Sequence, residues 1–325
     1  MIETKFMVAL KDMLVNENGL AKGTADMYVI KLRILNNNTP FNSLAFLKDK
    51  TGIQKKLEII TNDNTRKSYV ASIVSILNHQ KSIMYKQLNL YYKALFMKER
   101  TATANKPLHE KTETQQNNWL SWDEVMKAYN TIKARIDDIK DFKQPTENER
   151  DLMERYIVLS LYVLQPPRRN ADYYLMKFGT GDDDHFNFID LHGKKYYFNN
   201  FKTSKFGKEV LDVPPKMMEV LHWYKKHMGL KDGDFLLFPD DIKRTSSNKI
   251  TKLLNKIFMK NISSSMLRHI YLSSKYGAVE KEQEKDSEFM SHSQGTQQSY
   301  ILNWIKNKNL AYNGLDKTKL KPINP

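Results

Sequence analysis

The chain of 325 residues contains no cysteine. That absence excludes disulfide frameworks, cysteine-ligated zinc and thiol chemistry. Long apolar runs are also missing: no stretch reaches the roughly 18 residues that a membrane-spanning helix needs. The opening Met1-Ile2-Glu3-Thr4-Lys5 lacks the basic start and apolar stretch of a secretory signal peptide, so an intracellular site, cytoplasm or nucleus of a host cell, is expected. There is no Gly-rich phosphate loop and no acidic cluster at metal-ligand spacing, and neither a metal nor another cofactor is expected. No internal repeat is present. Acidic residues are the scarcer charge, 37 against 52 lysines and arginines.

What is present follows from that imbalance. A net charge of +15 spread over both halves of the chain favours a polyanionic partner such as a nucleic acid. The abundance of Lys and Asn that AT-rich coding produces is the other source of such a charge. With 40% hydrophobic residues the chain can bury substantial cores, and its length suggests two domains.

Residues 1–100 read as helical, with apolar residues at three- and four-residue intervals over 2–16, 22–36, 64–81 and 84–98. Asp63 or Thr65 is the expected N-cap of the third helix, and Glu17-Asn18-Gly19 ends the first. This half is expected to be a small helical bundle that binds DNA, with Lys31, Arg33, Arg66 and Lys67 as candidate contacts to the phosphate backbone. Such cations are also ordinary occupants of a solvated helix face. Residues 101–118 are polar, contain a proline and lack periodicity, which predicts a linker.

Order resumes at Trp119, with Ser121 and Glu124 spaced for a capping box. A helix over 149–164 ends at Pro166-Pro167. Alternation over 186–190, 196–201 and 209–213 predicts three antiparallel strands. Helices are expected at 215–228, 247–259, 264–276 and 295–307. The expected fold is therefore mainly α with a small antiparallel β-sheet, comprising a first domain over 1–100, a second over 119–307 and a tail over 308–325.

Four segments concentrate chemistry. Pro166-Pro167-Arg168-Arg169-Asn170-Ala171-Asp172 puts two arginines at a helix break, with an acid three residues after the second. Asn200-Phe201-Lys202-Thr203-Ser204-Lys205 lies between two predicted strands. Ser264-Ser265-Met266-Leu267-Arg268-His269 opens a helix. Met290-Ser291-His292-Ser293 precedes Tyr300, which stands eight residues after His292.

In this order the boxes resemble those of the tyrosine recombinases, the family of phage integrases and dimer-resolving recombinases. Their pattern is an Arg in a "TGxRxxE"-like box, a hairpin Lys, "HxLRH", "LGHS" and a nucleophilic Tyr. Arg169 with Asp172 is similar to the first box, Lys202 to the hairpin lysine, and Leu267-Arg268-His269 to the second arginine box. Met290-Ser291-His292-Ser293 resembles the histidine box, and Tyr300 occupies the place of the nucleophile. The resemblance covers roughly 119–305 by motif. Two positions depart from it: Ser265 stands where a histidine is usual, and the interval from His292 to Tyr300 is one residue shorter than in many relatives. The Lys/Asn-rich character and the doubled proline are similar to integrases of large DNA viruses and their mobile elements.

The resemblance implies a helical core-binding domain and a catalytic domain that encircle duplex DNA, and a homo-oligomer, a tetramer in synapsis. It also implies DNA integration or recombination through a 3′-phosphotyrosine intermediate. Catalytic roles then fall on Arg169, Lys202, Arg268, His292 and Tyr300. Asp172, Ser265 and His269 are left to support them or to touch the phosphate, and Arg168 and Lys205 to contact DNA.

The chemistry agrees with these residue types. Phosphodiester attack builds charge on non-bridging oxygens, which arginine forks bind bidentately at any relevant pH. A tyrosine ester retains the energy of the broken bond, so rejoining needs neither ATP nor a metal. A serine at position 265 hydrogen-bonds but does not titrate near neutrality. A type IB topoisomerase shares this chemistry, and a relative that binds DNA after losing catalysis would share the boxes.

Overall fold

The computed structural model describes residues 3–104, 111–139, 145–202, 204, 207–241, 243 and 246–291. The chain divides into two compact units, Met1–Glu110 and Lys111–Pro325. Each has its own hydrophobic core.

The first unit is helical: α1 (Lys5–Asn16), α2 (Lys22–Leu35), a 3-10 turn (Ala45–Lys48), α3 (Lys50–Glu58), α4 (Asp63–Leu77) and α5 (Ile83–Ala104). Its core gathers one face of each helix, including Leu14, Leu32, Val70, Ile73 and Tyr92, all essentially inaccessible to solvent. The Tyr92 hydroxyl donates to the Leu47 carbonyl at 2.8 Å, so the phenol is buried without an orphaned donor. Thr4 caps α1 and Asn62 caps α4, each side chain accepting a backbone N–H of the first turn. Asn62 thus takes the cap assigned from sequence to Asp63 or Thr65. The short α3 has only Ile53 and Leu57 to signal it. It starts because Asp49 accepts the Gly52 N–H at 2.9 Å, a local capping bond that apolar periodicity does not reveal.

The predicted linker is shorter than its composition suggests. Residues 101–104 continue α5, and α6 (Glu113–Asn118) is stabilised by a reciprocal capping box between Thr112 and Gln115. In the second unit α7 (Trp122–Asp137) carries the expected Ser121–Glu124 capping box. Next, α8 (Glu147–Val163) stops short of the doubled proline, because proline cannot donate the bond needed to continue the helix. The brief α9 (Asn170–Tyr174) follows.

The sheet is mixed, with strand order β1 (Met176–Phe178), β2 (Asn187–Asp190), β3 (Lys195–Phe198) and β4 (Glu209–Asp212). The three antiparallel strands are present, but β1 pairs parallel to β2 and corrects the purely antiparallel expectation. Three residues directly after a helix are too few for alternation to register. On its other edge β1 is closed by backbone bonds with residues 233–236, which leaves fewer free ladder groups.

The second unit then adds α10 (Pro215–His227), α11 (Asn248–Phe258) and α12 (Ser264–Phe289). Helix α12 runs well beyond the expected end at 276, since the Glu/Lys/Gln-rich turns after Gly277 favour helix without any apolar pattern. Among the described residues no helix is long and apolar enough to cross a membrane.

One half-buried group gives the second unit a pH dependence. Burial pushes the Glu154 carboxyl up to about 7, helped by Asp151 and Asp240 and opposed by Lys249. The buried Tyr224 phenol, whose oxygen has no hydrogen-bond partner, faces the same group. An unfolded Glu ionises near ~4.3. The folded state therefore holds the extra proton between that pH and about 7, and stability falls as pH rises through this window. Glu154→Gln is expected to remove that slope and stabilise the protein at pH ~8 by on the order of 1–3 kcal/mol. Denaturant unfolding at pH ~5 and ~8 measures both quantities, and an unchanged slope in the variant contradicts the assignment.

Candidate functional site

The two arginine boxes, far apart in sequence, share one cavity of about 400 Å³, lined by residues 165–169, Asp172, Tyr196, Phe198, Phe201, Glu209, Leu211, Asp212, Pro214 and Arg268. Arg169 is the extended residue before α9 (φ −76°, ψ 154°), where its carbonyl accepts the Asp172 N–H at 3.1 Å. Arg268 projects from the second turn of α12. That helix is capped by Ser263 and anchored by buried Met266, Leu267 and Ile270.

Among the described residues neither Arg169 nor Arg268 has an ion-pair or hydrogen-bond partner for its guanidinium, although both are half-buried. Arg169 lies in the field of the buried Asp172 carboxylate, and an anion bound in the cavity would supply the hydrogen-bond partner that both guanidinia lack among the described residues.

Arg168 behaves differently. Its Nε donates to Asp172 Oδ2 at 3.0 Å and its Nη1 to Glu209 Oε2 at 3.0 Å. The guanidinium also lies 3.7 Å from the centroid of the Phe198 ring. The acid three residues after Arg169 is thus the ion-pair partner of Arg168, because α9 turns the carboxylate back toward the residue preceding its own cap. Asp172 is only 1% exposed, and burial raises its pKa despite Arg168 opposing the shift. Its Oδ1 has no hydrogen-bond partner among the described residues.

The fully buried Asn187 was not anticipated from sequence. Its Nδ2 donates to the Asp172 carbonyl at 2.8 Å and to the Asn200 carbonyl at 2.9 Å. Its Oδ1 accepts the N–H groups of Asn199 at 2.9 Å and Asn200 at 2.7 Å. This amide fixes the start of the β3–β4 connection against α9. Only an Asn within an otherwise alternating strand hinted at it. Glu209 was also missed, as nothing in local spacing links it to Arg168.

Lys202 is exposed in the turn just beyond Phe201, which lines the cavity. Ser265 and His269 are exposed on α12 and do not line the cavity; buried Ser264 is the serine that faces inward. Lys205, His292 and Tyr300, with the helix expected at 295–307, lie outside the described residues.

In the first unit the four candidate cations are engaged within the fold. Arg66 pairs with Asp63 at 2.7 Å and Glu99 at 2.8 Å. Lys67 donates to Thr103 Oγ1 at 3.0 Å and Arg33 Nε to the Asn38 carbonyl at 3.1 Å. Lys31 donates to Ser68, lies near the Tyr28 and Tyr69 rings, and has its pKa lowered by burial. Arg66 in particular has its charge matched by two carboxylates, which leaves it little to offer a phosphate.

Compared with known proteins, the chain matches no protein-family model, no curated protein and no solved structure.

Proposed function

We propose that this protein cleaves and rejoins DNA as a tyrosine recombinase, through a covalent 3′-phosphotyrosine. The observation that carries the reading is the pair of guanidinia, Arg169 and Arg268, unpartnered among the described residues and lining one cavity from remote parts of the chain. Their forks suit the two non-bridging oxygens of a scissile phosphate, where charge accumulates in the transition state.

Within this reading Tyr300 attacks phosphorus and expels the 5′-oxygen. Lys202, on the connection that borders the cavity, supplies the proton to that leaving oxygen. His292 donates to a non-bridging oxygen, and the attacking phenol passes its proton to solvent as the bond forms. Ser265 is exposed and a serine hydroxyl does not titrate near neutrality, so it takes no part in proton transfer here. The reaction conserves phosphodiester number and requires no external energy source. The partner is double-stranded DNA, bound by several copies of the chain, four in synapsis.

A suicide duplex, nicked so that the released strand diffuses away, tests this directly. Wild type should accumulate a protein–DNA adduct that Tyr300→Phe does not form. An absent wild-type adduct on pooled duplex substrates would favour a DNA-binding protein without catalysis. Relaxation of any supercoiled plasmid, with no joining of two sites, would favour a topoisomerase.

A further inference from the structure

We infer that Arg168 is a positioning residue, a brace that sets the lysine-bearing β3–β4 connection against the phosphate-binding arginine. The inference rests on the recombinase reading for its chemical consequence, and on geometry alone for the brace itself.

Phe198 and Glu209 are the cross-strand pair that closes the mouth of this connection. Arg168 grips both members of that rung: it covers the Phe198 ring at 3.7 Å and bonds Glu209 Oε2 at 3.0 Å. It also holds the buried Asp172 carboxylate at 3.0 Å. Asn187 ties the same connection to the same residue, bridging the Asp172 carbonyl to Asn199 and Asn200. Asp172 also bonds the Arg169 carbonyl through its own N–H.

One residue therefore anchors both Arg169 and the strand ends from which Lys202 extends. Arg168 has two carboxylates on it, so it has little charge left to recruit DNA. A lysine there would keep the charge but lose the fork that spans two acids and a ring face.

Glu209 is the accessible handle on this brace, since its side chain is 43% exposed and its loss should leave the core intact. On a suicide duplex, Glu209→Ala should slow single-turnover adduct formation on the order of tenfold, with DNA affinity not weakened. Glu209→Gln, which keeps an acceptor for Nη1, should recover most of the rate. A duplex with sulfur at the 5′-bridging position releases a thiolate that needs no proton, and on it Glu209→Ala should match wild type, because only the placement of Lys202 has been disturbed. Amide exchange over Phe198–Lys202 should quicken in Glu209→Ala whether or not DNA is cleaved.

Unchanged exchange together with wild-type cleavage would overturn the brace. A defect in affinity alone would overturn it in favour of a direct DNA contact, and a defect that persists with the sulfur substrate would place the effect on Arg169 instead of Lys202. If wild type forms no adduct at all, the recombinase reading fails while amide exchange still reports on the brace.

Discussion

Replacing either cavity arginine, as Arg169→Ala or Arg268→Ala, is expected to lower the rate of strand cleavage by about 10²–10³. That loss corresponds to roughly 3–4 kcal/mol of transition-state stabilisation. The size follows from what each guanidinium does in the absence of substrate: among the described residues it holds no partner, so its interaction energy is available for the charge that develops on the phosphate. For the same reason folding stability should hardly change, and removing one of two like charges on a shared surface can even raise it. Arg→Lys at either position should recover only part of the activity, because an ammonium keeps the charge without the two-pronged geometry. Because the two groups act on one phosphate, the double variant should fall short of the product of the two single losses. Single-turnover cleavage with thermal unfolding on the same preparations separates the two roles. Full activity in either alanine variant contradicts the account of the site.

The second large effect is on folding. Asp172→Ala should destabilise the second unit by about 2–4 kcal/mol, because it strips the buried carboxylate from Arg168 and leaves the cation with Glu209 alone. Asp172→Asn should cost far less, under about 1 kcal/mol. Burial already disfavours the ionised carboxyl, and an amide keeps the volume and an acceptor. Urea unfolding ranks the two variants, and equal losses would show that Arg168 depends on the charge of the carboxylate and not on its volume and acceptor atoms.

Much of this arrangement is legible in the sequence, and what is not has identifiable causes. Helix α7, with its apolar stripe, and α8, with a long apolar run, announce themselves, and Ser121 with Glu124 marks the start of α7 almost to the residue. Elements held by local capping bonds or by neighbouring backbone do not: α3, α6 and β1 lack the length for a periodic signal. The convergence of Arg169 and Arg268 on a common cavity was implied by motif order, and the cavity contains both.

Spacing alone does not say which of the two arginines Asp172 holds. A three-residue interval places an acid on the following helical turn, but the direction of its carboxylate depends on where the helix starts, and here that choice selects Arg168. Asn187 and Glu209 were invisible for a different reason. Their partners are brought to them by strand pairing, so no short segment contains both ends of the contact.

The position of the covalent bond is the most direct test of the central claim. Wild-type protein is trapped on a suicide duplex, digested, and the DNA-linked peptide identified by mass spectrometry. The account predicts a single modified residue, Tyr300, joined to a 3′-phosphate, and no adduct from Tyr300→Phe. An adduct on any other residue, or one that persists in Tyr300→Phe, contradicts it.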